Sequence, residues 1–172
     1  MTYGVRDVIA LLPPILVAQW SITSPAAQTI EAARILGSND PTYGTIGWLP
    51  SLDGVPFALL NLVETKEAQI EANRIQTTAT IEAFLVIEHA EVPTVYENFH
   101  DLCVAYIDSL RQLIAANYYL QPGASGMETD IGDIRWRLQS TKLVPSKVLL
   151  GSAWFGASCM MTLQCSIPVN YQ

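Results

Sequence analysis

The sequence predicts an α+β protein: a mainly antiparallel sheet of about four strands, covered on one face by a long helix and preceded by short N-terminal helices. Three observations predict it. From Ile75 to His89, Thr77, Ala79, Ile81, Ala83, Leu85 and Ile87 fall on one side and Thr78, Thr80, Glu82, Phe84 and Val86 on the other, the period of two that defines a strand. From Thr94 to Leu120 the apolar positions are Val95, Phe99, Leu102, Cys103, Tyr106, Ile107, Leu110, Leu113 and Ile114. These steps of three and four trace one stripe of an amphipathic helix, roughly 40 Å long at 1.5 Å per residue. From Ala157 to Ile167 the period of two returns, so the helix has a sheet to lie on.

In chain order, Tyr3 to Gln19 reads as a helix with Val8, Leu11, Leu12, Ile15 and Leu16 on one face, kinked or split at Pro13-Pro14 because proline removes a donor and clashes with the preceding turn. Ser24-Pro25 fits a cap followed by proline at the first helical position, opening a second short helix through Arg34 that Gly37 stops. Ser38 to Gly54 is crowded with turn residues yet holds Tyr43, Ile46, Trp48 and Leu49, an aromatic loop pinned either on the core or on a neighbouring subunit. Val55 to Val63 is a short apolar strand. Glu64 to Arg74 is polar, with Ile70 its one large apolar residue, and is too long for an ordinary hairpin loop. It reads as an extended hairpin arm at about 64–76 on a single domain spanning 1–172, or as a plain surface loop. Thr94 and Glu97 form a capping box and Pro122-Gly123 ends the long helix. Ile134, Trp136 and Leu138 alternate inward against Arg135 and Arg137, Pro145 argues against a central strand in Ser140–Leu150, and Pro168 stops the closing strand. Consecutive strands are expected as antiparallel neighbours.

Composition narrows the partners. Half the residues are apolar, enough for a full core, and the net charge of −7 disfavours nucleic acid or an anionic membrane as a surface partner. Cys103, Cys159 and Cys165 are odd in number and sit on predicted core faces, which fits reduced buried thiols and not a secreted disulfide framework. Val8 to Trp20 is too short to span a bilayer, and Asp7 before it and Pro13-Pro14 within it do not fit an export signal.

The chemistry-bearing residues are few. Glu88 and His89 are adjacent on a strand and point to opposite faces. His100 and Cys103 share a helical face at i, i+3, which permits a thiolate–imidazole pair, but Cys103 lies in the apolar stripe whereas catalytic thiols need a polar, accessible setting. Asp101 and Asp108 read as a solvated outer stripe. Arg135 and Arg137 flank Trp136, a pattern that can stack bases and neutralise phosphates or simply mark the wet side of a strand. There is no Gly-rich phosphate loop after a strand, no C-x-x-C and no H-E-x-x-H. No catalytic residue, cofactor or metal is therefore expected, and the chain reads as an assembly or binding protein, not an enzyme.

The order of elements carries a resemblance. An N-terminal helix, an irregular crossing with Trp48-Leu49-Pro50, a strand pair with a long hairpin, the helix Thr94–Leu120, the strand at Ile134-Arg-Trp-Arg-Leu138 and a closing strand preceded by Ala153-Trp-Phe-Gly-Ala157 resemble the tail terminator proteins of long-tailed bacteriophages. The likeness is architectural and covers most of the chain. It implies an α+β fold with helices on one side of the sheet and a hexameric ring, a cyclic homo-oligomer that caps the tail tube and joins it to the head. Its partners would be copies of itself, the tail tube protein and the head connector proteins. DNA would pass the acidic lumen without specific binding, no membrane would be involved, and the location would be the virion, assembled in the host cytoplasm. The subunit-interface candidates are Lys66, Glu67, Glu71 and Arg74 for a polar rim, with Trp48, Phe57 and Trp154 as central anchors. The alternatives are a minor capsid, head-completion or baseplate adaptor protein acting as a binding module, and a thiol-dependent enzyme using His100 and Cys103.

Overall fold

The structure, a computed structural model, describes residues 3–25, 27–40, 42–44, 56–89, 99–121, 131–149 and 152–169. The elements are α1 (Val5–Ile9), α2 (Leu12–Gln19), β1 (Ser21–Ile22), β2 (Gln28–Thr29), β3 (Ala32–Ile35), β4 (Phe57–Glu71), β5 (Arg74–His89), α3 (Phe99–Ala116), β6 (Tyr119–Leu120), β7 (Ile134–Leu149) and β8 (Ser152–Pro168). Six strands form one sheet in the order β3-β4-β5-β8-β7-β6, and β1 pairs with β2 alone.

The expected α+β plan of about four antiparallel strands under a long covering helix is corrected on three counts. The sheet has six strands and is mixed, because β3 runs parallel to β4 with Ala32 opposite Phe57 and Ile35 opposite Leu60. The chain is mostly strand, since β4, β5, β7 and β8 are each 15 to 17 residues long. The main helix has 18 residues, about 27 Å, and stops before the expected end. Asn117 ends it by donating its amide to the Leu113 carbonyl at 2.9 Å, after which Tyr119 and Leu120 pair with β7. The expected capping box of Thr94 and Glu97 lies outside the described residues.

The segment after Ser24-Pro25 is strand, not helix. Ala33 is buried and β3 is held by the β4 backbone, so tertiary pairing overrides the helical signal of cap and proline. Gly37 does end the element, at φ +74, a left-handed turn conformation that side chains disfavour. The proline pair, expected to break a helix, sits in the first turn of α2, where no intrahelical donor is required. The break falls at Ala10-Leu11, between α1 and α2. Pro145, expected to exclude a central strand, lies inside β7 at a register shift between Val144 and Lys147. Beyond Arg135, β7 has β8 as its one strand partner among the described residues, and an edge strand tolerates proline at such an irregularity.

Of the consecutive neighbours, β4 with β5 and β7 with β8 are antiparallel as expected, and β6, which replaces the expected last turn of the helix, is antiparallel to β7. The closing strand, however, lies between β5 and β7, with Ile81 opposite Met161. The two strands with unbroken alternation are thus central neighbours, and each side chain of one face is matched across the ladder.

The core lies between the helices and one face of the sheet. Ala79, Ile81, Ala83 and Leu85 of β5 and Ala157, Cys159, Met161 and Leu163 of β8 are buried there beneath Leu102, Cys103, Tyr106, Ile107, Leu110, Leu113 and Ile114 of α3, the expected stripe. Trp20, fully buried, locks the N-terminal helices to α3 by donating its indole N–H to the Tyr106 carbonyl at 2.9 Å and meeting the Tyr106 ring edge-on. A smaller cluster of Phe57, Leu59, Phe84, Val86 and Trp154 is buried on the opposite face.

Candidate interaction surfaces

Two surfaces stand out, an arm and the polar part of the sheet face away from α3. The arm is continuous ladder: β4 and β5 stay paired from Phe57↔Val86 to Glu71↔Arg74, with register shifts at Leu62/Glu64 and Gln69/Glu71, and β8 continues beside β5 to Arg74↔Pro168. The polar residues that read as an extended hairpin arm or a surface loop are therefore paired strand, because the ladder satisfies the backbone whatever the side chains are. From Leu62 to Glu71 every β4 residue is exposed, and past Leu60 no strand covers its outer edge among the described residues. Charged residues and bulges on that edge are the usual defence against uncontrolled strand addition.

The interface candidates fall in different settings. Lys66 and Glu67 are exposed neighbours on β4 that face opposite sides, with Lys66 Nζ 3.3 Å from Glu64. Glu71 is exposed beside the turn. Arg74 donates its Nε to Ser166 Oγ at 2.7 Å and an Nη to the Ser166 carbonyl at 3.0 Å, which ties the turn end of the hairpin to β8. Phe57 and Trp154, the expected central anchors, meet edge-on at 5.5 Å within the smaller cluster and are 0% and 3% exposed. Trp48 lies outside the described residues.

The second surface is the sheet face away from α3. Cross-strand register places Lys66, Thr78, Gln164 and Arg135 in one row and Glu64, Thr80, Thr162 and Arg137 in the next, since paired residues share a face. Lys142 stands opposite Ser158 on the same face, and Ser158 Oγ donates to Glu82 at 2.7 Å. Arg137 bonds the Tyr118 hydroxyl through Nε at 3.1 Å, its guanidinium 5.4 Å from the ring centre, and Tyr118 meets Tyr119 edge-on. Trp136 is fully buried on the core side with its indole N–H toward Met161 Sδ, so Arg135 and Arg137 are wet-side residues and no base can stack between them. Lys142, Tyr118 and the exposed Leu62 and Val63 were missed by sequence reasoning; the run Gln139-Ser-Thr-Lys142 has no apolar alternation that would have marked Lys142.

The thiol–imidazole pairing is not assembled. His100 is exposed with Nδ1 3.3 Å from Asp101, whereas Cys103 is fully buried. Burial, with a contribution from Cys159, pushes the Cys103 thiol up to about 12. Burial likewise raises Cys159 to about 12 and Cys165 to about 11. Asp108 pairs with Arg111 at 2.7 Å on the outer face of α3. A cleft of about 630 Å³ between α1, the turn after β3 and β4 is bordered by Arg6, Asp7, Asp40 and Glu67. Two of its carboxylates serve the backbone: Asp7 accepts the Gly4 N–H at 2.8 Å, and the N–H groups of Thr42 and Tyr43 hold Asp40 below the usual carboxylate range. No group of three metal-ligating side chains occurs, and no helix is long and apolar enough to cross a membrane, among the described residues.

The thiols give a pH prediction. Between about 9 and about 11 an unfolded thiol ionises while the folded ones stay neutral, so the native state binds more protons and stability falls as pH rises. Each thiol is expected to cost about 1.4 kcal/mol per pH unit in that window. Melting temperature measured from pH 8 to 11 should be flat at first and then drop, and a chromogenic thiol reagent should react at native pH after denaturant is added and not before.

No family model matches the chain, and no curated protein matches it significantly.

Proposed function

We propose that this chain is a ring-forming structural protein of a long-tailed bacteriophage virion, a tail terminator or neck component, whose β4–β5 arm meets the neighbouring subunit or the tail tube. The arm carries the reading. It contributes little to the core, yet Leu62, Val63 and Ile70, at 44%, 52% and 50% exposure, are three of the seven large apolar residues left exposed among the described residues. Apolar side chains presented on a rigid three-stranded ladder fit a contact surface better than a solvated loop. A contact made by such a projecting arm is heterologous, so it closes into a ring or runs on as a filament. The resemblance in element order favours the hexameric ring, with the head connector and tail tube on its two sides.

Val63→Glu with Ile70→Glu tests this. Both residues are about half exposed, so their replacement should change stability by roughly 0.5 kcal/mol each. The expected result is an unchanged far-UV circular dichroism spectrum with native mass reduced to the monomer. Unchanged particle mass overturns the role of the arm, and a wild-type chain that is monomeric at every concentration overturns the ring. Negative-stain images of the wild-type particle separate a closed ring from a filament.

A further inference from the structure

The six-stranded sheet is only partly covered at either edge. β3 lies beside β4 from Phe57 to Leu60, where the Leu36 N–H reaches the Leu60 carbonyl at 2.8 Å, and from Asn61 to Glu71 the outer side of β4 has no strand beside it among the described residues. β6 covers β7 at Ile134 and Arg135, with the Trp136 N–H on the Tyr118 carbonyl at 2.8 Å, and from Arg137 to Leu149 the outer side of β7 is likewise open among the described residues. Each open stretch is roughly 30–40 Å long at about 3.3 Å per residue.

The ladders fix which backbone groups point outward. Opposed residues of an antiparallel pair either exchange both their bonds or turn both away. Leu60 turns away from β5 toward β3, so its partner Ala83 turns toward β8, and by alternation so do Ile81, Ala79 and Thr77. Their β4 partners Leu62, Thr65 and Glu67 therefore aim N–H and C=O outward. On β7 the outward bond of Trp136, opposite Leu163, sets the same rule. Leu138, Thr141 and Leu143, opposite Met161, Cys159 and Ala157, aim theirs outward.

We infer that the open edge of β4 takes the open edge of β7 of a second copy, so that one antiparallel ladder runs on from subunit to subunit. Polarity selects this occupant first. The pairs β4–β5, β5–β8 and β8–β7 are all antiparallel, so β4 and β7 run in opposite directions, and a second copy laid beside the first in the same orientation meets it antiparallel. The position of the openings selects it again: β3 and β6 stand at opposite ends of the sheet, beside Leu60 and beside Ile134, and a copy displaced along the strands brings the two open stretches together with those short strands as end stops. Charge then separates this pairing from a two-fold pairing of β4 with itself. The open stretch of β4 carries Glu64, Glu67 and Glu71 against Lys66, so two such edges crowd carboxylates together, which is destabilising. β7 carries Arg135, Arg137, Lys142 and Lys147 and no carboxylate. The contact is heterologous. It rests on the arm contact of the proposed function and names the strand that the arm meets.

Proline is the test, because at an outward position it removes a donor from the edge and leaves the inner ladder intact. Thr65→Pro blocks the β4 edge and Thr141→Pro blocks the β7 edge. Sedimentation velocity reads the mass. The wild type is expected to assemble beyond a dimer and each variant alone to be monomeric. An equimolar mixture of the two should give a species of two chains and nothing larger, since only the β7 edge of one and the β4 edge of the other remain to pair. Circular dichroism and melting curves identify a misfolded variant, and Glu67→Pro or Leu143→Pro then takes its place at the next outward N–H of the same edge. A mixture that stays monomeric, or a variant that assembles as the wild type does, overturns the inference. Dimers formed by Thr141→Pro alone overturn it in favour of a two-fold contact through β4. Proline variants that assemble fully while Val63→Glu with Ile70→Glu does not leave the arm contact standing, made by side chains and not by backbone. A wild type that is monomeric at every concentration overturns both.

Discussion

Leu110→Asp is expected to abolish cooperative folding. Leu110 is fully buried at the centre of the α3 stripe, between Tyr106 and Leu113 in the cluster shared with β5 and β8. Truncating a buried leucine costs about 2–5 kcal/mol, and the carboxylate adds the penalty of an unpaired charge among apolar groups. The total reaches most of the ~5–15 kcal/mol by which a domain of this size is stable. The measurement is urea unfolding followed by circular dichroism, with Leu110→Ala as the milder reference. A folded Leu110→Asp protein with an unchanged midpoint would show that α3 does not rest on the sheet. Val104→Asp is the control: Val104 is 38% exposed on the same helix, and its replacement should change stability little.

The parts of the fold legible from sequence were those in which burial imposes a period. β5 and β8 alternate without interruption, and the residues assigned inward, from Thr77 to Leu85 and from Ala157 to Cys165, are buried. The α3 stripe was legible for the same reason. What was not legible was strand that lacks a buried face. Gln139 to Lys142 alternates nothing apolar, and it is strand because a neighbour supplies backbone partners, which composition does not record; Lys66 to Glu71, with Ala68 and Ile70 its apolar residues, read only as an arm or a loop. β3 failed in the opposite way: Ala32-Ala33-Arg34 has helical propensity, and pairing with Ala58 and Leu59 overrode it. The candidate surfaces follow the same division. Arg135 and Arg137 were placed outward correctly by period, but their company with Lys66 and Lys142 depends on β8 entering between β5 and β7, a pairing that spans the whole second half of the chain. Phe57 and Trp154, read as candidate interface anchors, are buried edge-on against each other, a contact between residues nearly a hundred apart that no local pattern records.

Gly156→Ala should produce the second-largest loss, and it tests that long-range pairing directly. Gly156 stands opposite Val86 on β5 and Val144 on β7, and both ladders shift register just beyond it. A Cβ built there would overlap the Leu85 carbonyl oxygen and lie 2.8 Å from its carbon and 3.2 Å from the Val86 Cα. These are backbone atoms, so no rotamer change relieves the clash and the strand must move. Its neighbours Trp154, Ala157, Leu85 and Val86 are all buried, so the displacement would disturb both the main core and the smaller cluster. The expected cost is about 3 kcal/mol, at the upper end for overpacking by one methyl group. The midpoint of urea unfolding should fall with an unchanged slope, and amide exchange should quicken at Leu85 and Val86 before it quickens in α3. Gly37→Ala supplies the contrast, because nothing lies within 4 Å of the added methyl and its cost comes from the φ of +74 alone. That variant should lose on the order of 1 kcal/mol. Equal, small effects at the two glycines would mean that β8 does not pass against Leu85 as described.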